Sequence, residues 1–137
     1  MRRLRRHDPQ RGAAAVEFAL VLPLLVLLLF GIVDFARAFH TQLTLSDAAA
    51  EGARTLATGG TLAAARSAVG SVLQVTAVAP AAVSYPLATV CPATAVPGTV
   101  RAAMTVSTRF EFVTPLIGSL AGGGLTISGT AARQCAA

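Results

Sequence analysis

Glu17 carries the most specific chemistry in this chain, because it is a carboxylate inside an otherwise apolar run, Ala13–Val33. An ionised carboxylate within a membrane segment costs about 3 kcal/mol unless a partner neutralises it. A cut after Gly12 would make Ala13 the new N-terminus, and its α-amine, on the same molecule or a neighbour, would suit the acid. The arrangement therefore predicts processing between Gly12 and Ala13, followed by assembly. The alternative is an acid at the headgroup level whose side chain reaches water at the start of a helix.

Cys91 and Cys135 are the only cysteines, and both follow the apolar run. An even number of cysteines outside the cytoplasm favours a disulfide. Closing a loop of about 45 residues would stabilise the fold by about 4 kcal/mol on the chain-entropy model. The alternative is two unlinked, small apolar side chains. No C-x-x-C or Cys/His spacing indicates a metal site, so neither a metal nor another cofactor is expected.

Catalysis is not predicted either. The chain has only two histidines, His7 and His40, and no serine, histidine and acid set or pair of acids that would share a cleft. The glycines at 122–124 lie between two predicted strands, where they are typical of a turn rather than of a phosphate-binding loop. The sequence therefore predicts a protein that is not an enzyme.

The net charge of +5 is concentrated at the N-terminus, where five arginines stand against Asp8 in residues 1–12. The apolar run that follows is about 30 Å long as a helix, enough to cross a membrane. By the positive-inside rule, the pattern predicts a cytoplasmic basic leader (1–12), a transmembrane helix (13–33) and an exported domain (34–137). Nucleic acid is not expected as a partner, because its binding needs basic residues spread over a folded face.

The helical pattern continues beyond the predicted span. A single helix is expected from about Ala14 to Ala57, ended by Gly59-Gly60. An apolar stripe should pack this helix on the domain, and its members are Phe35, Phe39, Leu43, Leu45, Ala49, Ala53 and Leu56. Thr61 is the predicted N-cap of a second helix, from Leu62 to about Val75.

A small antiparallel sheet is predicted after the two helices. Residues Val100–Phe112 alternate between apolar and polar types, which indicates a long, half-buried strand. Residues 114–124 should turn the chain into a returning strand marked by Leu125, Ile127 and Ala131. Four prolines, at positions 80, 86, 92 and 97, make any strand near 82–90 short or confined to an edge. The predicted fold class is thus α+β, with the lower half of the long helix in the membrane and the second helix on the sheet.

Two patches of this sequence resemble the TadE-like pseudopilins of tight-adherence (Flp-type) pilus systems. The first patch runs from Arg11 to Phe39, and the likeness lies in Gly12, Glu17-Phe18-Ala19, Pro23, Gly31 and Asp34-Phe35. The second is Ala48–Arg54, an Ala-x-x-Glu-Gly-Ala-Arg pattern. The segments Thr114–Gly118 and Leu125–Ser128 are similar too.

The resemblance implies a pilin-like structural component of a pilus or of a related secretion assembly, with a role in cell adhesion. A prepilin peptidase would cut between Gly12 and Ala13, and Glu17 would neutralise the N-terminal amine of a neighbouring subunit. The implied partners are the membrane, the peptidase and other pilus or pseudopilin subunits. The protein would lie in the cytoplasmic (inner) membrane, with its C-terminal domain periplasmic or extracellular.

Two other interpretations share much of this topology. Ala36-Arg37-Ala38 has the small-x-small pattern of a signal peptidase site, whose use would release a binding module that begins at Phe39. Against this, the apolar run is longer than the usual signal core. Alternatively, the chain is an uncleaved single-pass anchor whose outer domain binds a partner.

Overall fold

The structure is a computed structural model, and it describes residues 9–76, 78–79, 82–94, 96, 98–120 and 122–136. Most of the predicted basic leader, residues 1–8, lies outside this part of the chain. The elements, in order, are α1 (Pro9–Ala57), α2 (Leu62–Gln74), β1 (Val83–Thr89), β2 (Arg101–Phe110), α3 (Pro115–Leu120) and β3 (Leu125–Gln134). Two helices pack on a three-stranded antiparallel sheet of order β1-β2-β3, so the predicted α+β class is confirmed.

Helix α1 is 49 residues long, which corresponds to about 74 Å. It begins at Pro9, earlier than the predicted Ala14, and contains Pro23 within its length. Its C-terminus is a Schellman motif, since Gly60 N–H donates to the carbonyl of Thr55 (2.9 Å) and Gly59 N–H to that of Leu56 (3.3 Å). Gly59 has φ +80°, which glycine adopts without strain. The predicted end of the helix is therefore confirmed.

Helix α2 begins directly after Thr61, its predicted N-cap. The Thr61 hydroxyl accepts a hydrogen bond from Ala64 N–H at 3.2 Å. The helix ends at Gln74, with Val75 as its C-cap. Ala65, Val69 and Leu73 are buried, as expected for the inner face of an amphipathic helix.

Strand β2 is the centre of the sheet, and it shows the predicted alternation. Its inward side chains pack on the helices, and they are Ala102, Met104, Val106, Thr108 and Phe110. β3 returns antiparallel to β2 over its whole length. β1 lies at one edge, and its pairing with β2 shifts register between Ser84 and Leu87. Pro86 lies in this irregular stretch, where it lacks a backbone donor, so the predicted edge strand is confirmed.

The sheet approaches α1 unusually closely at two glycines. A Cβ atom on Gly129 of β3 would collide with the backbone of Leu45 and Ser46 in α1. A Cβ on Gly52 of α1 would collide with Met104 Sδ and would lie 2.9 Å from Val69 Cγ2. Small residues on both surfaces thus let the helix lie directly on the strands.

The predicted apolar stripe of α1 is wrong in its membrane-proximal part. Leu45, Ala49, Ala53 and Leu56 are fully buried, but Phe35, Phe39 and Leu43 are 74%, 57% and 50% exposed. Successive helical residues are rotated by about 100°, so Leu43 lies about 200° from Leu45 around the axis. The prediction merged two faces of the helix, and only one of them packs on the domain.

Candidate functional site

The apolar run Ala13–Val33 projects from the domain as one continuous helix. Its most hydrophobic 18-residue window has a mean hydropathy of 2.8 and is not buried by any other described part of the chain. Large apolar side chains are exposed all around it, from Val16 to Val33. A helix that is apolar on every side needs lipid or other helices around it. By length and composition, α1 can cross a membrane.

Glu17 lies within this exposed helix. It makes no hydrogen bond or ion pair with the part of the chain that the structure describes. Gly12 and Ala13 lie in the same helix, and a Cβ on Gly12 would meet nothing within 4 Å. The Gly12–Ala13 bond is about 7 Å from Glu17 along the helix axis. The structure therefore places the three predicted residues on one free segment, with the acid still without a partner.

Asp34 joins this free segment to the domain. Although it is charged, it is only 2% exposed. Its Oδ1 accepts a hydrogen bond from Val113 N–H and its Oδ2 one from Thr114 N–H, each at 2.9 Å. Arg37 Nη1 lies 3.4 Å from Oδ1, so Asp34 also forms an i, i+3 ion pair with Arg37. The carboxylate thus holds the connection between β2 and β3 against the end of the apolar run.

Burial alone raises the pKa of Asp34, because it disfavours the charged form. Hydrogen bonds from Thr114 and Val113, together with the positive charge of Arg37, outweigh that effect and hold the pKa below its ordinary value. The carboxylate therefore remains ionised at neutral pH. Its hydrogen bonds to the connection are charge-assisted and stronger than neutral ones.

Aromatic side chains complete this junction. Arg37 Cζ lies 5.3 Å from the centre of the Phe110 ring, which is within the range of a cation–π contact. The rings of Phe110 and Phe112 pack edge to face at 5.4 Å. Phe110 is buried and Phe112 is half-buried, so both belong to the core rather than to an adhesive surface.

Nothing in the sequence indicates the partners of Asp34. They lie 79 and 80 residues further along the chain, in a segment that was expected only to turn. That segment contains the short helix α3, whose first residue is Pro115. The Thr-Pro pair is a local signal for such a start, because proline is favoured at the first helical position. It does not reveal which acid lies beside it.

The Glu51–Arg54 patch has a structural explanation. Glu51 and Arg54 form an exposed i, i+3 ion pair at 3.9 Å, and such pairs contribute at most about 1 kcal/mol. Gly52 and Ala53 between them are buried. Gly52 is small because Met104 and Val69 occupy the space beside it.

The end of the domain far from the apolar run is closed by a disulfide. Cys91, which follows β1, is bonded to Cys135, which follows β3, with Cα atoms 5.8 Å apart. Cys135 N–H also donates to the carbonyl of Val100, and Ala136 N–H to that of Ala57. These contacts join the ends of α1, β2 and β3.

An open cleft of about 390 Å³ lies between α1 and the end of β2. Its charged lining comes from Arg37, Arg109 and Glu111, with His40 beside them. Within the described residues, no group of three or more His, Cys, Asp or Glu side chains could hold a metal ion.

A family model described as TadE-like protein matches residues 12–54. The N-terminal segment of this chain is therefore similar to the TadE-like family. The match contains Gly12, Glu17, Asp34 and the Glu51–Arg54 patch, and it ends three residues before α1 does. The sequence resemblance is therefore confirmed for that segment, whereas α2 and the sheet lie beyond the match. No curated protein and no solved structure shows a significant match to the chain.

The TadE-like match supports a Tad pilus-associated component with an N-terminal apolar helix. TadE-like proteins are a structural and assembly family of the pilus, and no enzymatic activity is known for them. Membrane association and contact with other pilus subunits are consistent with this family and with the exposed apolar helix.

Proposed function

We propose that this protein is a structural, pseudopilin-like subunit of a tight-adherence pilus or of its assembly platform. Residues 13–33 anchor it in the cytoplasmic membrane, with the N-terminus in the cytoplasm and residues 34–137 exported. The observation that carries the proposal is the exposed apolar run, which is continuous with the core helix of the domain and lies in the TadE-like segment. Such a helix can be surrounded by lipid before assembly and by neighbouring subunits afterwards.

In this proposal Glu17 directs assembly. A prepilin peptidase cuts between Gly12 and Ala13, and the new α-amine of one subunit pairs with Glu17 of its neighbour. Glu17 has no partner within the described part of its own chain, and leaving it ionised in a membrane costs about 3 kcal/mol. Pairing with a neighbour would remove that penalty, so the acid favours the assembled state.

The exposed residues Phe39 and Leu43 support packing between subunits. They lie about 9 Å and 15 Å beyond Val33 along the helix axis. The headgroup layer on each side of a bilayer is only about 5–8 Å thick, so lipid does not cover them. They continue the apolar surface of the anchor outside the membrane, where a neighbouring helix would bury them.

The first experiment is the N-terminal mass of the protein from membranes of its native host. A chain that begins at Ala13 would support processing by the peptidase. A chain that retains the arginine-rich leader would contradict it, and the protein would then be an uncleaved anchor.

The second experiment tests the role of Glu17 directly. Glu17→Gln removes the charge with little change of shape, whereas Glu17→Asp keeps a carboxylate and is the matched control. We expect membrane insertion of both variants but subunit cross-linking or pili only with Glu17→Asp. Normal assembly with Glu17→Gln would exclude the assembly role.

Release by signal peptidase fits the structure less well than anchoring. A cut after Ala38 would lie inside α1 and would separate Asp34 from Val113 and Thr114. The cut would also remove Ala38, which packs against the core, and would leave only the part of α1 that follows it in the domain.

A further inference from the structure

The connection between β2 and β3, residues 111–124, is unusually apolar for a surface loop. No charged residue occurs between Glu111 and Arg133. The connection contains five large apolar residues, namely Phe112, Val113, Leu116, Ile117 and Leu120. A connection of this kind in water would normally be polar.

Contacts with α1 place this connection at the depth of the membrane boundary. Val113 and Thr114 donate hydrogen bonds to Asp34, the first residue after the apolar run. A Cβ on Gly31 would lie 3.8 Å from Ile117 Cδ1. Gly31 lies about 3 Å inside the outer end of the apolar run, so Ile117 is level with a residue of the proposed span.

At the end of the domain next to Asp34, the surface that faces away from the core is apolar. Val113 is 56% exposed and Leu125, the first residue of β3, is 51% exposed. Both lie at the end of the sheet that is next to Asp34 of α1, because β2 ends there and β3 begins there. The opposite end carries the disulfide.

We infer that the β2–β3 connection docks on the outer surface of the membrane, with Val113, Ile117 and Leu125 at the boundary between headgroups and acyl chains. The occupant is lipid because this apolar surface adjoins the outer end of the helix that the proposed function places in the membrane, and lies at the same depth. Interfacial segments bind in this way, with apolar side chains buried about 5–10 Å into the boundary. The domain is then held at two places, by its helix and by this connection.

Charge contributes little to this docking. Arg37 is paired with Asp34, and the remaining charged residues at this end, Arg109 and Glu111, have opposite signs. Attraction to anionic headgroups needs an excess of basic residues near the surface. The contact should therefore form as well on zwitterionic lipid as on anionic lipid.

The absence of tryptophan from the chain provides a direct test. Single-tryptophan variants of the full chain are reconstituted in phosphatidylcholine bilayers that carry brominated acyl chains, which quench tryptophan fluorescence on contact. Val113→Trp and Leu125→Trp report on the docking surface. Ile32→Trp is the control inside the span, and Val96→Trp, 63% exposed beyond β1, is the control for the far end of the domain.

We expect Val113→Trp and Leu125→Trp to lose emission to an extent comparable with Ile32→Trp, while Val96→Trp keeps its emission. Loss from Ile32→Trp alone would overturn the docking and leave the proposed membrane anchor intact. Emission retained by all four variants would overturn the anchor itself, on which the docking rests. Quenching at Val113 that requires anionic lipid would also overturn the inference, because the contact would then be electrostatic.

Discussion

Replacing Asp34 by alanine should release the β2–β3 connection from α1. The change removes the acceptor of two backbone hydrogen bonds of 2.9 Å, and Thr114 N–H is buried while Val113 N–H is partly buried. Hydrogen bonds to a charged group contribute about 1.5–3 kcal/mol each. Water can replace the acceptor for Val113 more easily than for Thr114, so the expected loss is about 3 kcal/mol.

Native-state hydrogen exchange measures this loss where it occurs. A loss of about 3 kcal/mol should make the amides of Val113 and Thr114 exchange about two orders of magnitude faster, if they exchange through local opening. The disulfide-bonded end of the sheet should keep its protection in the same experiment. The amides should be followed in the full chain, reconstituted in lipid.

Arg37→Ala is the matched control, because it removes the other charge at the junction. Arg37 is half-exposed and lies 3.4 Å from Asp34, so its removal should cost at most about 1 kcal/mol. Exchange at Val113 and Thr114 should therefore rise by less than tenfold. Equal protection of these amides in Asp34→Ala and in the unchanged protein would refute the role of the carboxylate.

The other predictions concern pH, packing and the disulfide. Because folding lowers the pKa of Asp34, its contribution is complete above the ordinary pKa of about 3.9 and is lost as the pH falls through the lower, folded value. Thermal unfolding should show this acid-dependent loss, and Asp34→Asn should lack that component. Gly129→Ala should destabilise the domain by about 3 kcal/mol or more in denaturant unfolding, because its Cβ would meet the α1 backbone at Leu45 and Ser46. Replacing both Cys91 and Cys135 by alanine should lower the free energy of unfolding by about 4 kcal/mol, from the loop between them.

For each of these predictions, a specific experimental result would contradict it. Gly70→Ala is the control for Gly129→Ala, because it has open space in α2 and should stabilise the helix by about 1 kcal/mol. Similar stability changes for the two alanine variants would refute the close approach of β3 to α1. An acid-dependent loss that persists in full in Asp34→Asn would have to come from another group. An unfolding midpoint unaffected by the double cysteine replacement would show that the linked loop does not constrain the unfolded chain.

Local signals determined much of the domain. Thr61 specifies the start of α2 because a cap needs only its own side chain and an amide three residues away. Gly59 and Gly60 specify the end of α1 because a Schellman motif closes within one turn. The alternation in β2 identifies its buried face, and Pro86 confines β1 to an edge, for reasons that are equally local. Processing after Gly12 and the role of Glu17 stay predictions, because they concern other molecules.

The sequence by itself determined helices α1 and α2, the strands and the long apolar run with its TadE-like pattern. Only the tertiary structure decided which face of α1 packs on the sheet. The helix is apolar on several sides, so Phe39 and Leu45 look equivalent until Gly129 and the strands lie against one of them. It also decided the partners of Asp34, because a carboxylate can bind any backbone amide that the fold brings within reach. Periodicity records which residues avoid water, but not whether lipid, a neighbour or the domain itself covers them.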